Sequence, residues 1–157
     1  MASWQVEFHV VPRRALDGGQ SLTPAILENT AWWTSATFPP DYRRRLSSVA
    51  ELARSSTTDL ERWGIEDGDR VDVWSVDGQV SRVTVSVDVR RLNSTFGAAL
   101  LAFVRAAGAV LVRNDGVLVE PTINAYAGAL RGSRAWRYSN DPMAFLAAQE
   151  KIADDAE

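Results

Sequence analysis

Two segments of the chain alternate apolar and polar residues with the period of a β-strand. In residues 4–11 every second side chain is apolar, and over most of residues 79–90 valines alternate with polar side chains. This period places the apolar side chains on one face of a strand and the polar side chains on the other. Pro12 ends the first strand because it has no N–H to donate to a neighbouring strand. We therefore expect a sheet with one apolar face and one polar face.

Turn residues predict two β-hairpins. Asp-Gly at 77–78 and Asn-Asp-Gly at 114–116 are sequences that reverse the chain between two strands. The amino acids on either side of each turn are rich in valine and leucine, as strands require. The first hairpin joins strands at 70–76 and 79–90, and the second joins strands at 109–112 and 117–120.

Capping residues and apolar residues at helical spacing predict the helices. Thr23-Pro24 is typical of an N-cap followed by proline at the first helical position. Asn93 or Ser94 can cap a helix with an apolar stripe, and Thr58 begins a capping-box pattern, S/T-x-x-E. The predicted helices lie at about 24–33, 40–54, 59–63, 94–107 and 122–130, and a last helix starts at Asp141-Pro142 with Phe145, Gln149 and Ile152 along one side.

The order of these elements predicts an α+β fold. Strands and helices follow one another as β-α-(α)-β-β-α-β-β-α-α. The central β-α-β-β-α-β portion has the order of the split βαβ, or ferredoxin-like, arrangement. We expect an antiparallel sheet of about four to five strands, with helices on one face and extra helices at the C-terminal end. The alternative is an antiparallel sheet with an unrelated strand order.

Composition indicates one globular α+β domain over residues 1–157. The chain is 46% hydrophobic and 24% charged, which is typical of a globular domain large enough to bury a core. It has no cysteine and a single histidine, which excludes a disulfide framework and a Cys-based or multi-His metal site, and we expect no cofactor. It has no apolar run of about 18 residues and no leader-like start. We therefore expect a cytoplasmic protein that does not enter a membrane.

Charge is concentrated at the end of the chain. Residues 150–157 carry a net charge of −3, and we expect this tail to fray. The preceding residues hold sixteen bases and sixteen acids, and this neutral body argues against nucleic acid as a partner. Sixteen of the seventeen basic residues are arginine. That bias is typical of a GC-rich genome, and we expect a small bacterial protein.

The polar face of the predicted sheet holds the first candidate site. In the split βαβ order, the strands at 4–11 and 79–90 are neighbours, so Glu7 and His9 come close to Asp88. A carboxylate beside the only histidine can raise the pKa of that histidine and form a base or a ligand-binding pair. A solvated sheet face that carries cross-strand pairs is the structural alternative.

Adjacent tryptophans mark a second candidate site. Trp32 and Trp33 lie in the poorly patterned connection at 13–40, in a chain with six tryptophans. Their rings can stack on a sugar, a base or an apolar partner, as interface anchors do. The structural alternative is that these rings pin the long connection to the core.

An arginine-aromatic run after the predicted helix at 122–130 is a third candidate. Three arginines interleave with aromatic rings, an arrangement that can hold a phosphate or a carboxylate or can stack on a base. The structural alternative is that the arginines complement the dipole at the helix C-terminus. The candidate residues of this run are Arg131, Arg134, Trp136 and Arg137.

An acidic stretch is the fourth candidate and predicts a docking patch. Residues 59–77 hold seven acids and two arginines, a net charge of −5. Such a patch speeds association with a basic protein, whereas the structural alternative is a turn that enters a strand. The spacing of the acids does not match a calcium-binding EF-hand loop. The candidate partner-binding residues are Glu66, Asp67, Asp69 and Asp72.

The standard catalytic motifs are missing from the sequence. It contains no G-x-S-x-G, no Walker lysine loop, no H-E-x-x-H and no G-x-G-x-x-G after a strand. We therefore expect a non-catalytic interaction domain that binds a basic protein through residues 59–77, as an immunity protein binds a toxin, or that associates with itself. The alternative is a small-molecule-binding domain or an enzyme, built around Glu7, His9 and Asp88 where the polar sheet face meets the 13–40 segment.

Overall fold

Six strands form one open antiparallel sheet in the computed structural model, which describes residues 3–19, 21–141, 143, 144, 147, 148, 150 and 151. The strands are β1 (Gln5–Pro12), β2 (Leu60–Gly64), β3 (Arg70–Val76), β4 (Gln79–Asp88), β5 (Ala109–Arg113) and β6 (Leu118–Val119). Their order across the sheet is β2-β3-β4-β1-β5-β6, and neighbouring strands are antiparallel. The first strand of the chain is therefore a central strand of the sheet.

The sheet has one strand more than the upper limit of the prediction. The additional strand is β2, and the helix predicted at 59–63 is wrong. Trp63 pairs with Val71 of β3 and is buried, whereas a helix of five residues is marginal without tertiary contacts. Strand pairing thus overrides the capping-box pattern. The ferredoxin-like order is not confirmed by this six-stranded arrangement.

Five α-helices accompany the sheet among the described residues, which confirms the α+β class. They are α1 (Pro24–Asn29), α2 (Tyr42–Ser47), α3 (Ser94–Ala106), α4 (Ile123–Arg131) and α5 (Arg134–Asn140), and a short 3-10 helix, Arg13–Leu16, follows β1. Thr23, Asn93 and Thr122 each accept a backbone N–H at the start of a helix, as the sequence predicts. The first two helices are shorter than predicted, because α1 ends at Asn29 and α2 covers only six residues.

The C-terminal part of the chain contains one helix that the sequence does not predict. The Ser133 hydroxyl accepts the backbone N–H of Trp136 and begins α5 within the arginine-aromatic run. Phe145, Gln149 and Ile152, on which the predicted last helix depends, lie outside the described residues, as does the tail from residue 152 onward. Among the described residues, no helix has the length and apolar character needed to cross a bilayer.

The apolar face of the sheet packs against α3 and α4. Phe8, Val85, Val71 and Trp63 lie opposite one another in one row across β1, β4, β3 and β2, and all four are buried. Tyr126 of α4 covers this row, with its ring centroid 6.0 Å from that of Phe8. Burial of each large apolar side chain contributes roughly 1.5–3 kcal/mol. This row and its cover form the centre of the core.

The opposite face of the sheet is polar, as predicted, but it is also buried. His9, Asp72 and Arg62 belong to one row across the sheet, and His9 and Asp72 are only 1% and 4% exposed. Helix α1 lies over this face, where Arg82 of β4 donates a hydrogen bond of 2.5 Å to the backbone carbonyl of Glu28. The prediction that helices cover one face only is therefore wrong.

Trp33 fills the gap where β1 and β4 separate. The last paired residues of these strands are His9 and Thr84. Beyond them, the backbone N–H of Trp33 donates to the carbonyl of Ser81 at 3.0 Å, and its indole N–H donates to the carbonyl of Val10 at 2.8 Å. The ring is 1% exposed. The connection that follows β1 is thus fixed to two strands at once.

Both edges of the sheet offer little backbone to another chain. On the outer side of β2, the N–H of Ala53 donates to the carbonyl of Arg62, and the N–H of Gly64 donates to the carbonyl of Glu51. The other edge strand, β6, has only two residues. Short or covered edge strands hinder pairing with a second chain. Dimerisation through an added strand is therefore disfavoured.

Candidate functional site

A cleft opens beside the first half of β1, beyond the point where its pairing with β5 stops. The two strands pair only between Phe8 and Pro12 of β1, so no described strand lies beside Gln5 on that side. The cleft is bordered by α1, by the turn between β5 and β6, and by α5. Its volume is about 480 Å³, which is within the usual range for small-molecule sites.

Two carboxylates from different elements line the cleft. Glu7 belongs to β1, and Glu28 belongs to α1, where Pro24 lines the same wall one turn earlier. Burial raises the pKa of Glu7 above its ordinary value of 4.5, and the negative charge of Glu28 raises it further. The positive charges of the amino terminus, Arg70 and Arg82 act in the opposite direction. The net effect is upward, so a positive charge beside Glu7 is favourable.

His9 lies behind Glu7 on the same face of β1. Its Nε2 is 3.9 Å from Oε1 of Glu7, which is too long for a hydrogen bond. Neither ring nitrogen has a hydrogen-bond partner among the described residues, although the side chain is buried. Burial lowers the pKa of His9 to about 4, and the charge of Arg82 lowers it too. The imidazole is therefore neutral at pH 7, with one donor and one acceptor nitrogen unused.

The opposite wall of the cleft comes from the β5–β6 turn and α5. Arg113 donates two hydrogen bonds of 2.8 Å to the carboxylate of Asp115 and one of 2.7 Å to the carbonyl of Ala129. The bonds from Arg113 hold the pKa of Asp115 below its ordinary value. Arg134 and Tyr138, one turn apart in α5, line the same wall. This wall therefore adds a neutralised ion pair, a further guanidinium and a phenol.

The structure brings the residues of the first candidate site together only in part. Glu7 and His9 are neighbours on the polar face, as predicted, and Glu7 faces the cleft. Asp88 lies opposite Gln5 and outside the cleft. Its two carboxylate oxygens accept hydrogen bonds of 3.0 and 2.9 Å from the Arg90 guanidinium, which lower the pKa of Asp88. Asp88 is thus occupied by a structural ion pair.

The two adjacent tryptophans belong to the core. Trp32 is 4% exposed and Trp33 is 1% exposed. Trp33 packs edge-on against Phe38, with ring centroids 4.8 Å apart, and Phe38 in turn contacts Phe103 of α3. These contacts agree with the structural alternative, in which the rings fix the connection between β1 and β2. Neither ring lines the cleft beside Glu7.

The acidic stretch is divided between the surface and the interior. Asp72 is buried on the polar face and pairs with Arg70 at 3.0 Å. Asp69 accepts the backbone N–H of Asp88 at 2.8 Å. Glu66 and Asp67 are exposed in the turn between β2 and β3. The four predicted partner-binding acids therefore do not form one continuous docking patch.

The arginine-aromatic run forms the end of α4 and most of α5. Arg131 is the last residue of α4 and is exposed, as is Arg137 of α5. Trp136 is half-buried, and Arg134 lines the cleft. Of the four candidate residues of this run, only Arg134 lines the same cleft as Glu7.

Sequence reasoning missed Glu28, Arg113 and Asp115 as side chains of the cleft, and it placed Tyr138 in the arginine-aromatic run without assigning it to this site. Glu28 lies four residues after Pro24, and this spacing on the predicted first helix places both on one helical face. Tyr138 has the same relation to Arg134, but α5 itself was not predicted. In both cases the sequence carries the helical spacing and lacks the information about which strand the helix faces.

The described residues give no sign of a metal centre. Within that part of the chain, no three histidine, aspartate or glutamate side chains are close enough together to hold a metal ion. Comparisons with family models, with curated proteins and with solved structures give no match to the chain. A functional interpretation therefore depends on the geometry and the electrostatics of the cleft.

Proposed function

We propose that the chain is a small-molecule-binding protein whose site is the cleft between β1, α1 and α5. The observation that carries this proposal is the position of Glu7. Its carboxylate lies in a cleft of about 480 Å³ that Glu28 also lines, and His9, which has no hydrogen-bond partner among the described residues, lies behind it. A partly buried acid with a raised pKa in a concave site is typical of a functional position.

The cleft lies where sequence reasoning places the alternative function, at the meeting of the polar sheet face and the 13–40 segment. Pro24 and Glu28 supply that segment, and Glu7 supplies the sheet face. Binding is proposed here without a reaction. The hydroxyl of Ser133 in the cleft already donates to the carbonyl of Leu130 at 2.6 Å. The expected cytoplasmic location stays a prediction.

A variant that fills the cleft tests this proposal. Asn114 lines the cleft from the β5–β6 turn, so Asn114→Trp places an indole ring in it. The matched control is Ala102→Trp, at an exposed position of α3, which packs on the other face of the sheet. A fragment library of mixed charge is screened by saturation-transfer NMR against all three proteins, with circular dichroism to confirm folding.

We expect fragments that bind the wild-type protein and Ala102→Trp but not Asn114→Trp. Their resonance perturbations should map to β1, α1 and α5. Two results would overturn the proposal. One is a screen without any binder to the wild-type protein, and the other is a set of binders that Asn114→Trp retains in full.

A second candidate function, binding of a basic protein, is favoured by the tip of the β2–β3 turn. Ile65 is 71% exposed beside Glu66 and Asp67. The turn is held in place, since Trp4 Nε1 donates to the carbonyl of Asp67 at 3.2 Å and Gln5 Nε2 donates to that of Glu66 at 3.2 Å. An exposed apolar side chain on a rigid acidic turn is suited to anchor a cationic surface.

Charge reversal at this turn tests the second candidate. The probe is a set of arginine-rich and lysine-rich peptides, measured by fluorescence anisotropy at low and high salt. Replacing Glu66 and Asp67 by lysine should weaken binding about tenfold or more, which corresponds to about 1.4 kcal/mol. Asp59→Lys, an exposed acid at the start of the same stretch, is the control. Equal binding by both variants would exclude the turn as the docking site.

We also infer that the centre of the sheet is a split βαβ unit with β2 and β6 added at its edges. The neighbouring strands β3-β4-β1-β5 support this inference, as do α2 and α3, which contact one another. Amide hydrogen exchange tests it. The four central strands should exchange together and most slowly, and equally slow exchange in β2 and β6 would contradict the division.

A further inference from the structure

We propose that the cleft binds a small organic cation, a protonated amine with an apolar body, and that the ammonium group lies between Glu7 and Glu28. The inference rests on the proposed small-molecule site and names the chemical class of its ligand. It depends on three features of the cleft: its charge, the unused hydrogen-bonding capacity of His9, and its apolar lining.

The charges on the cleft walls favour a cation at one end. Glu7 and Glu28 come from β1 and α1, and the charge of Glu28 raises the free energy of the ionised form of Glu7. On the opposite wall, Arg113 and Asp115 neutralise one another through two hydrogen bonds, and Arg134 adds a positive charge at the α5 side of the cleft. A cation between the two glutamates replaces a repulsion by two attractions. An anion at that position would add to the repulsion.

His9 is the second, independent indication of a ligand at this end. Its imidazole is 1% exposed, has no hydrogen-bond partner in the described part of the chain, and directs Nε2 toward Glu7 at 3.9 Å. A buried polar atom without a partner costs about 1–3 kcal/mol. An ammonium group has three N–H donors, so it can bind both carboxylates at once. His9 lies behind Glu7 and does not line the cleft itself.

The remainder of the lining suits the apolar body of an amine. Val6, Pro24 and Ala135 present hydrocarbon surface, and Tyr138 contributes a phenol ring. Small-molecule sites usually combine such an apolar lining with a few polar groups that fix the orientation of the ligand. The ligand class that fits is therefore an alkyl or aryl amine rather than a sugar or a nucleotide.

The ligand should also displace a proton from the protein. Glu7 is faced by Glu28 from α1, by His9 from β1, by Arg70 from β3 and by Arg82 from β4. Burial and Glu28 raise the pKa of Glu7, and a bound cation lowers it again. Binding at a pH where Glu7 is still partly protonated is therefore coupled to proton release.

The test compares protonated amines with neutral molecules of the same shape. The probes are tyramine with 4-propylphenol, and n-hexylamine with 1-hexanol, each titrated into the full chain by isothermal calorimetry at low salt. 4-Hydroxyphenylpropionate adds a probe with a carboxylate. Titrations near pH 5 in two buffers with different ionisation enthalpies give the number of protons released.

We expect at least one amine to bind about tenfold or more tightly than its neutral counterpart. Glu7→Gln and Glu28→Gln should each weaken amine binding about tenfold. Glu7→Gln should also abolish the release of a proton on binding. The control is Glu120→Gln, because Glu120 is a surface acid that pairs with Arg13 outside the cleft. It should bind the amine as the wild-type protein does.

The outcomes separate this inference from the function on which it rests. If a neutral or carboxylate probe, or a fragment from the screen, occupies the cleft while no amine is preferred, the ligand class is wrong and the cleft remains a binding site. Amine affinity that Glu7→Gln and Glu28→Gln leave unchanged would also overturn the ligand class. If neither the five probes nor the fragments bind, the proposed function fails as well.

Discussion

The two faces of the sheet are built from alternate residues of the same strands and are stabilised differently. Phe8 and His9 are neighbours on β1, and both are almost completely buried. Phe8 contacts Tyr126 across an apolar interface, whereas His9 faces polar side chains without a hydrogen-bond partner in the described part of the chain. Alternation in the sequence thus identifies a strand and its two faces. It does not tell which face meets solvent.

The polar face holds most of the described buried polar atoms that have no hydrogen-bond partner, although two of them, Arg62 Nε and Asp72 Oδ1, form an ion pair at 3.6 Å. Besides both nitrogens of His9, they include Oδ1 of Asp72, Nε of Arg62 and the indole nitrogen of Trp74, none of which has a hydrogen-bond partner among the described residues. Such atoms cost stability, and they concentrate around functional sites more often than in ordinary cores. The apolar face therefore stabilises the fold, and the polar face contains buried polar atoms that reduce stability.

The largest expected effect is on the apolar face. Phe8→Ala removes a fully buried ring beneath Tyr126 and should reduce the free energy of unfolding by about 4 kcal/mol. Urea unfolding followed by circular dichroism measures the change. A loss below about 1 kcal/mol would show that this row is not the centre of the core.

The neighbouring residue on the polar face should behave differently. His9→Leu keeps a side chain of similar size and removes two buried nitrogens that have no hydrogen-bond partner in the described residues. The free energy of unfolding at pH 7 should therefore change by less than about 1 kcal/mol. The same urea experiment measures it. A loss as large as that of Phe8→Ala would mean that His9 makes stabilising hydrogen bonds and that the contrast between the faces is false.

Because His9 is buried, the folded protein should lose stability as the pH is lowered. Because burial lowers its pKa to about 4, the folded protein binds this proton less tightly than the unfolded chain, whose histidine has a pKa near 6.5. The stability that the neutral form provides is therefore lost as pH falls from 6.5 toward 4. NMR titration of the His9 ring should give a midpoint near 4, and His9→Leu should lose this part of the pH dependence. A midpoint near 6.5 would place the ring in solvent.

A smaller effect of opposite sign is expected at Glu7. Its pKa is raised in the folded protein, so its contribution to stability is complete below 4.5 and decreases as pH rises through the raised value. Glu7→Gln removes that decrease. The stability of Glu7→Gln relative to the wild-type protein should therefore increase as pH rises above 4.5 and then level off. If the difference in free energy of unfolding between Glu7→Gln and the wild-type protein does not change with pH, the pKa of Glu7 is not raised in the folded protein.

Local signals in the sequence predicted much of the fold. The Asp77-Gly78 turn is confirmed, with positive φ values of 52° and 77° at its two residues. The cap at Asn93 and helix α3 are confirmed as well. The capping-box pattern at Thr58 failed, because the burial of Trp63 in strand β2 depends on β3. Ser133 is a genuine cap, but the charged run behind it has no apolar stripe that would reveal a helix.

Only the part of the candidate site that lies on strand β1 could be predicted from the sequence. Glu7 and His9 share a face because they are two residues apart, and this relation needs no tertiary information. That the face is covered by α1, and that Glu28 and Tyr138 join Glu7 there, depends on contacts between distant parts of the chain. The inclusion of Asp88 failed for a local reason, because Arg90, two residues further along the chain, binds its carboxylate.

The central position of β1 has a consequence for how the protein is made. This strand leaves the ribosome before both of its partners, β4 and β5, the second of which ends at Arg113. Until β4 has been made, neither edge of the strand that carries Val6, Phe8 and Val10 has a partner, and one edge lacks its partner until β5 is complete. An incomplete chain that ends before Arg113 therefore exposes a strand edge, and unpaired strand edges favour aggregation.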